Sequence, residues 1–265
     1  MTPENSASSV ERARSATREE IPSLLQAGDP KVLAALVENE RFEESHLLLL
    51  LERKDLSADL LDAVARRKSW LRSYAVRRAL AFHPHTPRLA AMRLARELYL
   101  MDLVQLSLQP AAPPELRRLA EELILARLPQ LPLGQKLTLA RRASARVAGG
   151  LLAEGHREVV PAALDNAFLT EAQILKVLAR ENLPKPVVPA VASHGKWSHS
   201  YNVRLALLRH PQTPLERVLA FLPELAEGDL EELARSSALP ARFREYVRGE
   251  IARRAAASKP PSHNA

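Results

Sequence analysis

Two sets of side chains in this sequence have the types and spacing of a recognition site. Trp70, Tyr74 and Arg77 fall at positions i, i+4 and i+7, on one side of a helix. The same set recurs in the second half of the chain as Trp197, Tyr201 and Arg204. On an exposed face they would anchor a protein partner, because Trp, Tyr and Arg are enriched at interface hot spots. In the alternative, the rings fill helix junctions and the arginines hydrogen-bond either the carbonyl ends of helices or a carboxylate. We favour packing, since both copies keep the set.

Two histidines between these sets could be metal ligands. His83 and His85 stand on either side of Pro84, but the second copy has Gln212 in place of His85 and no third ligand is nearby. A zinc site needs three or four protein ligands. We therefore predict no metal site.

The element His-Pro-x-Thr-Pro, which contains these histidines, instead predicts a turn between two helices. Pro84 disfavours helical backbone at His83, so the preceding helix ends there. Thr86 is expected to cap the next helix and Pro87 to occupy its first position.

The sequence contains no recognisable arrangement of residues that could catalyse a reaction. Cysteine is absent, which excludes thiolate ligands and cysteine nucleophiles. No phosphate-binding glycine motif, nucleophile elbow or H-E-x-x-H motif occurs. Acidic pairs such as Glu121-Glu122 stand among basic residues and indicate a solvated helix face. We predict a protein with no catalytic residues, no cofactor and no metal.

Basic clusters give the main alternative. The formal net charge is +7, and Arg66, Arg67 and Lys68 stand close to Arg72. If they share a surface, they would attract phosphates. Their counterparts in the second copy are mostly lost, so the alternative function is nucleic-acid binding by a patch on the first copy.

The elements that must position these residues are helices. Leu and Ala dominate and glycine is scarce, at 8 residues. Apolar residues recur at helical spacing, as in Thr170–Arg180, and breaks rich in Pro, Asn and Asp interrupt them. No alternating strand pattern of useful length occurs. The sequence predicts an all-α protein.

A long internal similarity indicates how these helices are organised. Residues 24–122 align without a gap on residues 151–249, with 33 identities in 99 positions. Short amphipathic helices bury their apolar stripes by stacking on neighbours. We predict an α-α superhelix (solenoid) of short antiparallel helices, made of two tandem copies of a unit of about 127 residues, each divided into three blocks of about 42. The predicted segments are a flexible arm at 1–20, units at 21–150 and 151–254 in one continuous solenoid, and a flexible tail at 255–265.

Two short segments carry a family resemblance. "YAVRRALAFHPHTP" and "YNVRLALLRHPQTP" share the order Val-Arg-x-Ala-Leu before Pro-x-Thr-Pro. This resembles HEAT-like repeats and the leucine-rich repeat variant, in which such a helix precedes an N-P-x-T-P turn. His83 and His210 stand where the family more often has Asn. The resemblance implies a helical scaffold, without the iron–sulfur cysteines known in the variant family.

These observations favour a non-enzymatic scaffold that binds a protein or peptide partner on its curved surface. A helical-repeat enzyme related to the bilin lyases would need catalytic residues that the sequence does not offer. The start of the chain lacks the apolar core of a secretory leader. The longest aliphatic run, Leu47–Leu51, is far shorter than the roughly 18 residues that span a bilayer. We therefore expect a cytoplasmic protein without a membrane span.

Overall fold

The structure is a computed structural model that describes residues 3–26 and 29–257. Within these ranges it consists of α-helices, short 3-10 turns and loops, with no strand, so the predicted all-α fold class is confirmed. The helices of the first half are α1 (Pro3–Ser15), α2 (Ile21–Leu24), α3 (Pro30–Glu38), α4 (Glu44–Glu52), α5 (Ala58–Arg66), α6 (Tyr74–Phe82), α7 (Arg88–Ala95), α8 (Leu100–Leu108) and α9 (Pro114–Arg127). Those of the second half are α10 (Leu133–Arg142), α11 (Ala145–Glu154), α12 (Val159–Leu164), α13 (Glu171–Leu178), α14 (Val187–Ser193), α15 (Tyr201–Arg209), α16 (Leu215–Phe221), α17 (Glu227–Arg235) and α18 (Ala241–Ala257). Among the described residues, no helix is both long and apolar enough to cross a bilayer.

The chain divides into two compact units, Met1–Ala126 (unit 1) and Arg127–Ala265 (unit 2). Both begin earlier than the predicted copies, because α1 belongs to unit 1 and its counterpart α10 belongs to unit 2. The sequence comparison started only at Leu24, since few identities precede it. A common origin by duplication and the joining of the units into one solenoid stay predictions.

The predicted flexible arm contains the helix α1 instead. Ala13 and Ala16 are buried, and α1 packs against α3. The buried Asn39 side chain donates hydrogen bonds to the carbonyl oxygens of Ala13 (2.9 Å) and Ala16 (3.0 Å). Small alanines supply this contact without a long apolar stripe, so the pattern was missed. At the other end α18 continues to Ala257, whereas Pro260 and Pro261 lie outside the described residues.

Helix pairs recur at a shorter spacing than predicted. Within unit 1, α1 packs on α3, α3 on α5 and α4 on α6, so that first and second helices form two layers. The first helices of successive pairs begin at Pro3, Pro30, Ala58, Arg88 and Pro114. Unit 2 repeats this arrangement. The prediction of three larger blocks in each unit is therefore wrong, because short helices with tight connections make each pair shorter than a typical HEAT repeat.

Arginine side chains satisfy the open carbonyl ends of helices in the preceding pair. An α-helix leaves its last four carbonyl groups without intrahelical partners. Arg53 donates to the carbonyl of Leu25 (2.5 Å), Arg67 to that of Val37 (2.8 Å) and Arg93 to that of Ala65 (2.8 Å). Each bond spans 28 to 30 residues of sequence. Many of the chain's arginines are thus structural.

The His-Pro-x-Thr-Pro turn forms where predicted but with different roles. The preceding helices end at Phe82 and Arg209, so each histidine is the C-cap residue. Thr86 does not cap the next helix, because Pro87 is the N-cap residue of α7. Its counterpart Thr213 donates backwards to the carbonyl of Leu207 (2.5 Å).

The histidine rings stabilise this turn. The Nδ1 atom of His83 accepts the main-chain N–H of His85 (3.2 Å), and its Nε2 atom contacts the carbonyl of Arg53 (2.6 Å). One ring nitrogen is therefore engaged within the turn and the other at the end of α4. Burial lowers the pKa of His83, and also that of His210.

Candidate functional site

The two tryptophans of the predicted anchors lie at helix junctions. Trp197 is only 3% exposed, and its Nε1–H donates to the carbonyl of Leu164 (2.9 Å). Trp70 is half-buried and meets the Phe42 ring edge-on, with ring centres 6.1 Å apart. Its Nε1–H is buried without a hydrogen-bond partner among the described residues. Arg67 occupies the matching carbonyl, that of Val37. The structure therefore gives both rings a packing role.

This difference makes the two tryptophans a matched pair for a stability test. We expect W197F to lower the free energy of unfolding by about 1 to 2 kcal/mol, since the Leu164 carbonyl loses its donor. W70F is expected to leave it unchanged or slightly raised, because phenylalanine removes an unpaired N–H. Urea unfolding followed by circular dichroism measures both. Equal losses in the two variants would contradict this assignment.

The arginines of the two sets bind the 3-10 turns that contain the tryptophans. Arg77 donates to the carbonyl of Leu71 (2.8 Å), and Arg204 donates to that of Ser198 (2.6 Å). Arg204 is buried and also pairs with Glu224. Arg204 and Trp197 are thus enclosed within unit 2 and do not form an exposed anchor.

The tyrosines cap the following second-layer helix. The Tyr74 hydroxyl donates to Asp102 and accepts the main-chain N–H of Tyr99 (3.0 Å). Tyr201 makes the same two contacts with Asp229 and Ala226. Burial and the Asp102 contact raise the pKa of Tyr74, and the Asp229 contact raises that of Tyr201. Both hydroxyls therefore act as helix caps.

Of the four basic residues of the predicted patch, Arg66 and Arg67 have partners, whereas Lys68 and Arg72 are exposed. Arg66 pairs with Asp62 one turn earlier (2.6 Å), and Arg67 is bonded to the Val37 carbonyl (2.8 Å). Arg72 is exposed at the end of its 3-10 turn. Two of the three predicted arginines thus already have partners.

A surface that sequence reasoning missed lies on the second-layer helices of unit 1. We define the α4–α6–α8 face by outward apolar residues on these helices and at the start of α8: Leu48, Leu49, Ala75, Ala79, Phe82, Tyr99 and Met101. The helices are adjacent, because α4 packs on α6 and Arg78 of α6 bonds Asp102 (2.6 Å) and Gln105 (2.8 Å) of α8. Tyr99 is 65% exposed, and its ring stacks on that of Tyr74 at 4.0 Å.

Unit 2 keeps only part of this apolar surface, since Leu48 and Ala79 correspond to Leu175 and Ala206. The other five positions are polar or small in the second copy: Leu49 corresponds to Lys176, Ala75 to Asn202, Phe82 to Arg209, Tyr99 to Ala226 and Met101 to Gly228. The capping contacts of Tyr74 and Tyr201 are nevertheless the same. The fold therefore does not require the exposed apolar residues of unit 1. Apolar residues of the first copy that align with polar or small residues of the second are the sequence signal that could have found this face.

The face is an exposed surface and not an enclosed pocket. Its residues are apolar side chains around an internally satisfied network of Arg78, Asp102 and Gln105. Among the residues that the structure describes, no group of three or more His, Asp or Glu side chains could hold a metal ion. Such a surface can bury apolar area against a partner.

Comparison with known proteins gives no match: no family model fits the chain, and no curated protein or solved structure is similar to it. The fold and surface define a class only, an all-α protein of stacked short helix pairs.

Proposed function

We propose that the protein is a non-enzymatic helical-repeat scaffold that binds a protein or peptide partner through the α4–α6–α8 face. The observation that carries this proposal is the cluster of exposed apolar residues, most of which unit 2 replaces. Exposed Leu, Met and Tyr side chains lower solubility. Because the fold does not require them, a binding partner that covers this face is the best explanation for their presence. The resemblance to HEAT-like and leucine-rich repeat variant scaffolds supports the same function.

The partner expected here is a helical segment with an apolar stripe. The middle helix α6 has the small residues Ala75 and Ala79 between the larger side chains of α4 and α8, and we expect the segment to lie against them. Glu44 and Glu52 of α4 are exposed, and Glu44 accepts a hydrogen bond from the Ser73 hydroxyl at the start of α6 (2.6 Å). Basic residues beside the apolar stripe of the partner would complement these carboxylates.

A display library of amphipathic helical peptides tests the proposal with variants taken from the chain itself. The triple variant L49K/Y99A/M101G carries the residues that unit 2 has at these positions. We expect peptides selected on the unmodified protein to bind this variant at least about tenfold more weakly, since several hot-spot contacts are lost together. Fluorescence anisotropy of the synthetic peptides measures the change.

The matched control is L89E, which replaces an exposed leucine on the first-layer helix α7 by its own counterpart, Glu216. Leu89 is 82% exposed but lies outside the face. Binding should be unchanged in this variant. A library that yields no binders, or binders that lose affinity in L89E and not in the triple variant, would refute the proposal.

The alternative function, nucleic-acid binding by the arginines of unit 1, stays a prediction. Arg66 and Arg67 are engaged with Asp62 and the Val37 carbonyl.

A further inference from the structure

The positive charge of the chain is located in unit 2. Residues 1–126 contain 18 Lys and Arg and 18 Asp and Glu, whereas residues 127–265 contain 20 and 13. The whole net charge of +7 therefore belongs to unit 2. The basic run at residues 66–72, which drew attention in the sequence, belongs to the unit that is neutral overall.

Some of these basic residues lie in the turns that join the two helices of each pair in unit 2. The turns of successive pairs lie against one another. The buried Asn166 side chain donates to the carbonyls of Ala140 (2.7 Å) and Ala143 (3.0 Å), and accepts the N–H of Phe168 (2.7 Å). The turn at 165–170 therefore lies beside the end of α10. We call these two turns, 141–144 and 165–170, the basic edge.

Two arginines and a phenylalanine are exposed on the basic edge. Phe168 is 50% exposed, and Arg141 and Arg142 are exposed at the end of α10. Neither arginine has an ion pair within the described ranges. A half-exposed phenylalanine next to unpaired arginines is a combination that folding alone does not explain.

In unit 1 the counterparts of these two turns contain carboxylates that pair with nearby arginines. Arg14, the counterpart of Arg141, pairs with Glu38 (3.5 Å), and Arg18 pairs with Glu43 (2.6 Å). In unit 2 the acidic residue at the position of Glu38 is Asp165, which contacts His194 instead (3.0 Å). The counterparts of Glu40 and Glu43 are Ala167 and Thr170. Asp165 is therefore the one carboxylate left in the two turns.

The next turn continues the same chemistry. His194 reaches back to Asp165, and the Trp197 indole reaches the Leu164 carbonyl, so the turn at 194–200 lies against the turn at 165–170. It presents Lys196, whose Nζ atom is 4.2 Å from the centre of the Trp197 ring. Cationic groups are thus available beyond Phe168 as well as before it.

We propose that the basic edge binds single-stranded nucleic acid, in addition to the peptide partner of unit 1. Arg141, Arg142 and Lys196 would bind successive phosphates, and a base would stack on the exposed Phe168 ring. Basic residues that follow the backbone, together with an aromatic ring for stacking, are the elements of sequence-tolerant single-strand binding. An acidic protein could bind the arginines, but it would not account for the exposed Phe168 ring, on which a base can stack.

Fluorescence anisotropy of the full chain with labelled 15-nucleotide oligo-dT and oligo-U tests this site. We expect binding at low salt that weakens as salt rises, with a log–log slope of about −0.7 for each phosphate contacted. The variant F168A should weaken binding about fivefold or more, through the loss of stacking. R141Q/R142Q should weaken it further and lower the salt slope by about one to two units, from the two lost charges. Circular dichroism confirms that both variants remain helical.

Two controls separate this site from the other surfaces. R66Q/R72Q alters the basic run of unit 1, and L49K/Y99A/M101G alters the α4–α6–α8 face, so both should bind the oligonucleotides as the unmodified protein does. The proposal is overturned by absence of binding at low salt, by unchanged affinity in F168A, or by loss of binding in R66Q/R72Q alone. Equal competition by poly-glutamate would show a site for anionic protein and would overturn it too.

Discussion

Replacing Asn166 by alanine is expected to lower the free energy of unfolding of unit 2 by about 2 to 4 kcal/mol. Its buried side-chain amide donates to two carbonyl groups at the end of α10 and accepts one N–H group of its own turn, 165–170. Alanine leaves all three without the side-chain partner, in a region that excludes water. Buried unsatisfied groups each cost about 1 to 3 kcal/mol, and partial relaxation reduces the sum.

Tryptophan fluorescence gives a direct measurement, because each unit contains one tryptophan. In a W70F background Trp197 reports the unfolding of unit 2 in urea. The control is N202A: Asn202 is exposed and bonds Glu171 at the surface (2.7 Å), so its loss should change stability by no more than about 0.5 kcal/mol. If N166A and N202A unfold at the same urea concentration, Asn166 does not hold the turn.

Replacing Phe243 by alanine is expected to have the largest effect, a loss of about 3 to 5 kcal/mol. Phe243 of α18 is completely buried in the core of the last helices of unit 2. This core is formed by Leu208, Val218, Leu222, Leu225, Leu230, Leu233, Leu239, Phe243 and Val247. Truncation removes the apolar contacts and leaves a cavity that the neighbouring leucines fill only in part.

The matched control is F168A, the same change at an exposed position of the same unit. It should alter the free energy of unfolding by no more than about 0.5 kcal/mol. Urea unfolding of both variants, followed by circular dichroism, provides the comparison. A loss below about 1 kcal/mol for F243A, well under the usual cost of such a truncation, would mean that α18 does not close the core of unit 2.

Periodicity predicted the helices well, because each short helix must bury one stripe. It did not predict α1, whose contact with α3 depends on the small residues Ala13 and Ala16 and on a hydrogen bond from Asn39. Nor did it give the length of a helix pair, because the offset between the two aligned copies can be divided in several ways. The bonds from Arg53, Arg67 and Arg93 to carbonyls 28 to 30 residues back reveal the division.

For the candidate sites, residue type alone was a poor guide. Trp197 and Arg204 are residue types common at interface hot spots but are buried here. Tyr99 and Phe168, which the sequence patterns did not single out, are exposed. Exposure depends on which helix covers a given position, and this is a tertiary property. In the charged run at residues 66–72, Arg66 and Arg67 have partners that the sequence does not reveal, a neighbouring carboxylate and a distant main-chain carbonyl.

The carbonyl bonds between neighbouring helix pairs also bear on how the chain acquires its structure during synthesis. Because the Arg53, Arg67 and Arg93 bonds reach back only 28 to 30 residues, a nascent pair can be completed once the next pair has left the ribosome. Contacts so close in sequence favour rapid folding. During elongation the helix pairs of unit 1 would then become ordered one after another, each stabilised by the pair that follows it.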